Sequence, residues 1–68
     1  MISGRECIQA LEKIGFQIVR QRGSHIVLVR DVPPAQTVVP EHRELDRGTL
    51  RAIIRHVGLS VDEFLALL

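Results

Sequence analysis

Cysteine is almost missing from this sequence. Cys7 stands alone among 68 residues, so neither an internal disulfide nor a zinc site of four cysteines can form. A small fold without such staples is the pattern of a reducing compartment, and a cytoplasmic protein is expected. No apolar run approaches the ~20 residues of a membrane span, and the N-terminus lacks the basic-then-apolar profile of a signal peptide. An excess of one charge is lacking as well: nine Lys and Arg stand against eight Asp and Glu, a net +1 with His neutral. That balance argues against a general nucleic-acid or membrane coat and leaves local patches open. Internal repeats, low-complexity tracts and linkers are missing too. At 68 residues the chain is too short for a Rossmann domain, a barrel or a site closed between two domains.

What is present is ordinary globular composition, 46 % hydrophobic and 25 % charged, too apolar for a disordered tail. Residues 1–68 read as one domain. A chain this short buries only about 60 % of the surface its unfolded form exposes, so a thin core and modest stability are expected. Met1 followed directly by a helix start is what a complete chain would show.

Ser3 and Glu6 have capping-box spacing, after which Cys7, Ile8, Leu11 and Ile14 recur at helical intervals with polar residues between them. Gly15 is placed to end this helix near residue 14. From Phe16 the period changes to two: Phe16 and Ile18 alternate with Gln17 in a strand running to about Arg20. Gln21-Arg22-Gly23-Ser24 reads as a tight turn, and His25 to Arg30 as a β-branched central strand. Asp31 to Ala35 is a loop because Pro33 and Pro34 remove backbone donors. A third short strand starts at Gln36 or Thr37, runs to Val39 and is stopped by Pro40. Asp46 caps a helix bearing Leu50, Ile53, Ile54 and Val57, which Gly58 ends. Ser60 and Glu63 open a short last helix with Phe64, Leu65, Leu67 and Leu68. The order α-β-β-β-α-α predicts an α+β fold, with helices on one face of a three-stranded antiparallel sheet.

The placement of charge is more informative than its sum. Residues 16–30 hold Arg20, Arg22 and Arg30 with no acid, and residues 46–60 hold Arg47, Arg51 and Arg55 against Asp46 alone. A hairpin and one helix are therefore candidate phosphate-binding surfaces, or simply solvated rims.

Within the basic hairpin, His25 follows Gly23-Ser24 at the edge of a turn. An imidazole titrates near neutrality and can move protons, and neighbouring guanidinium groups can hold a phosphate and stabilise developing negative charge. Gly23 lets a polynucleotide backbone approach closely, and the Ser24 hydroxyl can hold a phosphate oxygen or orient the ring. The plainer alternative is a strand-edge histidine with no task. Cleavage of RNA by its own 2′-hydroxyl needs a base, an acid and cations around the phosphate, a set this small chain can supply. Metal-dependent hydrolysis fits poorly, because no pair of carboxylates has convincing ligand spacing and the three histidines match no zinc pattern. No cofactor is expected.

His42, after Pro40-Glu41, is either a second proton carrier at that surface or a polar loop residue. His56 lies in the last turn of its helix, where a cation favours the dipole's negative end. Cys7 belongs to an apolar stripe and reads as core. If Phe16, Ile18, Ile26 and Leu28 face the helices, then His25, Val27 and Val29 lie on an open sheet face. Such an apolar strip marks a partner surface, a homodimer or a different register.

Several segments together resemble the HicA family: Gly15-Phe16, Arg20-Gln21-Arg22-Gly23-Ser24-His25, Val38-Val39-Pro40-Glu41-His42, Leu45, Gly48-Thr49-Leu50, Ile53-Ile54, Gly58-Leu59-Ser60 and Glu63-Phe64. The resemblance covers essentially the whole chain. It implies a fold like the double-stranded-RNA-binding domain. It also implies the activity of a type II toxin: a ribosome-independent mRNA interferase that cuts RNA and is masked by a HicB antitoxin. The family's catalytic histidine carries over onto His25, its companions onto Gly23 and Ser24, and the histidine of its Pro-x-His segment onto His42. One departure is Ile26-Val27-Leu28 after the motif, where many members place a second histidine or an aromatic, so fewer groups can stack on a base.

The expected protein is thus an endoribonuclease toxin with His25 as general base or acid and Arg20, Arg22 and Arg30 gripping phosphates. Ser24 positions the phosphate or the ring. Its expected partners are mRNA and a HicB-type antitoxin covering the His25 strand, with no membrane and with a monomer or weak dimer when free. The rivals are a non-catalytic RNA-binding module and a pure partner-binding protein of the same fold.

Overall fold

Two short side chains start the first helix, α1 (Gly4–Glu12). The Glu6 N–H donates to Ser3 Oγ at 3.0 Å, and the Ser3 N–H donates to Glu6 Oε1 at 2.9 Å. Those contacts, the Ser3 N–H first and its hydroxyl second, hold the Glu6 carboxyl below the usual glutamate range. The computed structural model describes residues 2–68. Gly15 ends the helical turn at φ +98°, a left-handed conformation open to glycine, and so delivers Phe16 to the core.

Three strands follow: β1 (Gln17–Arg22), β2 (His25–Arg30) and β3 (Ala35–Pro40), paired antiparallel in the order β1-β2-β3. Gly23 and Ser24 alone join β1 to β2. Gly23, at φ +56°, is the first of these two residues, which is where a type II′ hairpin turn requires a positive φ. The register shifts between Ile18 and Arg20, leaving Val19 as the extra residue of a bulge. Strand alternation then assigns the faces. Ile26 lies opposite Val39 and Leu28 opposite Thr37, and all four are buried beneath the helices.

α2 (Arg47–His56) is capped by Asp46, whose carboxylate accepts from the Thr49 N–H at 2.8 Å and the Thr49 hydroxyl at 3.0 Å. These bonds hold the Asp46 carboxyl below its usual range, the backbone bond contributing most. α3 (Val61–Leu65) opens with a second capping box, Ser60 and Glu63, and seats Phe64 in the core. It ends sooner than the sequence suggests, with Leu67 and Leu68 beyond it. α1 and α2 cover one sheet face, and α3 packs against α2. Cys7, Leu11, Phe16, Leu28, Val39, Leu45, Ile53 and Phe64 are the largest side chains sealed between the two layers.

The fold is therefore α+β, α-β-β-β-α with a short C-terminal helix, as the sequence predicts. The first strand differs in detail. It starts one residue after Phe16, reaches Arg22, and is exposed along its whole length, Ile18 included at 49 %. β1 is an edge strand that extends past the cover of the helices, so alternation there places side chains without burying them. β3 starts one residue before the earliest sequence-based boundary and includes Pro40.

At the joint between layers, α1 and β3 approach so closely that a Cβ at Gly4 would overlap the Pro40 carbonyl oxygen. The Gly4 N–H donates to the His42 carbonyl at 2.9 Å, and the Leu45 N–H to the Ile2 carbonyl at 2.8 Å. This stitching fixes the segment after β3 against the start of α1, at the end of the sheet where His25 lies. Among the described residues no helix is long and apolar enough to cross a membrane.

Candidate nucleic-acid interface

On the open face of the sheet, the two-residue turn puts Arg22 directly opposite His25, while Pro40 flanks His25 on its other side. On the next rung Arg20, Val27 and Val38 lie side by side. Directly paired residues of antiparallel strands share a face with Cβ atoms about 4.5–5.5 Å apart, so Arg22 is a neighbour of the His25 ring and Arg20 lies one rung further. His25, Arg20 and Arg22 are all exposed. Among the described residues none of the three has a side-chain hydrogen bond or ion pair, and the one salt bridge, Arg5 to Glu41, lies elsewhere. Two uncommitted guanidinium groups and an imidazole on an acid-free strand pair can hold a phosphate and exchange protons with what it carries.

The turn itself is tied down. The Ser24 carbonyl accepts from the Glu41 N–H at 2.6 Å, so the end of β3 grips the hairpin. The Gln21 side-chain amide donates to the Gly23 carbonyl at 2.9 Å. The space around Gly23 is empty within 4 Å of where a Cβ would stand, leaving the turn open to a large ligand. The Ser24 side chain is exposed beside His25.

Arg30 does not join this group. It lies five residues along β2 from His25, about 16 Å at strand rise, and on the opposite face. Its guanidinium sits 4.7 Å from the centre of the Phe16 ring and donates to the Pro33 carbonyl at 2.9 Å and the Ile14 carbonyl at 3.4 Å. Arg30 thus closes the core where β2 ends and is spent on packing. The arginines of α2 belong to the helical layer, so the two basic stretches of the sequence form separate surfaces.

His42 follows Pro40, the cross-strand partner of His25, by two residues. Its backbone is fixed at both ends, with the N–H donating to the Pro40 carbonyl at 2.9 Å and the carbonyl accepting from Gly4. Its exposed ring lines a shallow depression with Ser3, Arg5, Glu41 and Arg43, at the same end of the sheet as His25. His56 has a neighbour that sequence alone did not suggest: its Nδ1 lies 3.4 Å from the Oγ1 of Thr37, the buried polar residue of β3. Cys7 is sealed in the core, and burial pushes its thiol up to about 11, which removes it as a nucleophile.

The open face also carries valines. Val27 and Val29 lie on it as alternation predicts, yet Val27 is only 9 % exposed between Arg20 and Val38. The exposed apolar surface comes instead from Val38 at 42 % and from the bulged Val19 at 58 %.

The family model for the HicA toxin of bacterial toxin–antitoxin systems matches residues 4–59. The chain belongs to the HicA family. The match runs from the first residue of α1 to just past the end of α2, and so takes in the whole sheet and the His25 turn. This HicA-family chain is accordingly a toxin of a toxin–antitoxin system, and an antitoxin is its implied partner. No curated protein matches the chain.

Proposed function

We propose that this HicA-family toxin is a metal-independent, ribosome-independent mRNA interferase whose reaction takes place over the open sheet face. The observation that carries the reading is the exposed His25, without a side-chain partner among the described residues, set directly opposite Arg22, with Arg20 on the next rung. Arg20 and Arg22 grip the scissile phosphate, and Ser24 positions it or the ring. The ribose 2′-oxygen attacks phosphorus as a base takes the 2′-OH proton. The P–O5′ bond breaks as an acid returns a proton to the departing 5′-oxygen, leaving a 2′,3′-cyclic phosphate and a 5′-hydroxyl. His25 is one of these proton carriers, and His42, at the same end of the sheet, is the candidate for the other. A HicB-type antitoxin neutralises the toxin by covering the His25 strand. The chemistry and the RNA substrate belong in the cytoplasm.

The test is cleavage of a defined RNA in excess chelator by wild type and His25→Ala, with both folds checked by circular dichroism. Cleavage by wild type alone, leaving cyclic-phosphate ends, is expected. Equal cutting by both proteins sinks the assignment of His25. A non-catalytic RNA- or partner-binding module is the second reading, favoured by the exposed Val19 and Val38. It predicts that His25→Ala keeps both toxicity and RNA binding.

A further inference from the structure

We infer that Gln21, backed by Glu41, is a positioning residue that fixes the Gly23–Ser24 turn and through it the attitude of the His25 ring; this rests on the reading of His25 as the proton carrier. Gln21 pairs with Ile26, so its side chain lies on the helix side of the sheet, opposite to the face that carries His25. It cannot touch a phosphate held by Arg20 and Arg22. Its amide Nε2 instead donates to the Gly23 carbonyl at 2.9 Å and approaches Glu41 Oε1 at 3.5 Å.

Glu41 gathers the rest of the clasp. Its N–H donates to the Ser24 carbonyl, and its Oε2 accepts from Arg5 Nη2 at 3.0 Å. Three elements thereby meet behind the turn: Arg5 from α1, Gln21 from β1 and Glu41 just past β3. The Arg5–Glu41 pair is solvent-exposed on both sides, 73 % and 38 %, and such pairs contribute little to stability. Its consequence is geometric. A two-residue hairpin with glycine at its first position has an intrinsically mobile tip. Both of its carbonyls, Gly23 and Ser24, are captured from behind, and the next residue in the chain is His25. Donors that fix a proton carrier within fractions of an ångström affect the chemical step rather than substrate binding.

Glutamine serves here because it donates to a carbonyl and a carboxylate together, which leucine and glutamate cannot do and lysine can. Three variants therefore separate the roles: Gln21→Leu, Gln21→Glu and Gln21→Lys. Backbone ¹⁵N relaxation of Gly23, Ser24 and His25 is measured for each, and kcat and KM on RNA are measured alongside. The expected result is loosened turn amides in the Leu and Glu variants, with kcat down about tenfold and KM little changed. Gln21→Lys restores both the order of the turn and kcat, and its retained activity certifies the fold at this position.

Turn amides as ordered in Gln21→Leu as in wild type overturn the clasp, whatever the nuclease result. Loosened amides with unchanged kcat overturn the positioning role. A wild type that cleaves no RNA, with the turn still loosening in Gln21→Leu, leaves the clasp standing and removes the nuclease reading instead.

Discussion

The two faces of the sheet are cut from alternate residues of the same strands, yet they are built to opposite rules. On the covered face Ile26, Leu28 and Val39 are sealed under the helices, and Thr37, the one buried polar residue there, has His56 Nδ1 within 3.4 Å of its hydroxyl. On the open face His25, Arg20 and Arg22 are exposed and make no side-chain bond among the described residues, while valines sit between and beside them. Saturation of every polar group belongs to the face that holds the molecule together. Unspent donors belong to the face that meets something else. Arg30 shows that the division follows position rather than residue type. It is an arginine of the same basic hairpin, and the parity of its place on β2 commits it to Phe16 and two carbonyls.

The sharpest way to break this comparison is His25→Ala. If the open face is chemical, cleavage falls by about 10²–10⁴-fold while the melting temperature stays within a few degrees of wild type. The neighbouring pair Leu28 and Val27 makes the converse test, since adjacent residues of one strand face opposite ways. Leu28→Ala removes a fully buried side chain and is expected to cost about 2–5 kcal/mol in denaturant unfolding, a large share of a small domain's stability. Val27→Ala, on the open face, is expected to cost about 1–2 kcal/mol. A loss at Val27 larger than the loss at Leu28 contradicts the division of faces.

Gly23→Ala strikes the turn that builds the open face. At φ +56° an alanine is strained even though nothing crowds it, at about 1–2 kcal/mol, read from a melting curve. Removing one cation of the grip does less. Arg20→Ala and Arg22→Ala are each expected to weaken RNA binding across sequences and to lower the salt dependence by about one ion, whereas Arg30→Ala leaves the salt slope unchanged and lowers stability. A loss of slope in Arg30→Ala equal to that of Arg22→Ala would place it on the binding surface after all.

Much of this was legible in the chain because the rules involved are local. Ser3 with Glu6, Asp46, and Ser60 with Glu63 mark helix starts within four residues, and Gly15 and Gly23 mark the reversals. The faces of β2 follow from parity alone. What escaped depends on contacts across the fold. Ile18 has the right parity for the core and lies exposed because the helices stop short of β1. Val19 reaches the surface through a bulge that no two-residue period encodes. Gln21 and Glu41 are twenty residues apart, and nothing in either neighbourhood announces that both end behind one turn.

The smallest effect sharpens the comparison by acidity. Glu6 and Asp46, carboxyls held below their usual range, both serve helix N-termini, Glu6 as the capping-box partner of Ser3 and Asp46 as the cap itself, and the open face carries no acid on its paired strands. A carboxyl with a lower pKa in the folded state stabilises fully above its unfolded pKa, near 4. The unfolded chain then binds protons first as pH falls, and the contribution disappears through the folded pKa. Wild type should therefore melt above Asp46→Ala at pH 6, and the gap should close as pH falls below about 4, with Glu6→Ala behaving alike at α1, where the Ser3 N–H donates to the Glu6 carboxylate. The same titration should leave the difference between wild type and Arg20→Ala melting temperatures flat, because no acid among the described residues pairs with that arginine. A gap for Asp46→Ala that persists at low pH would mean that the cap works through the shape of the turn rather than through its charge.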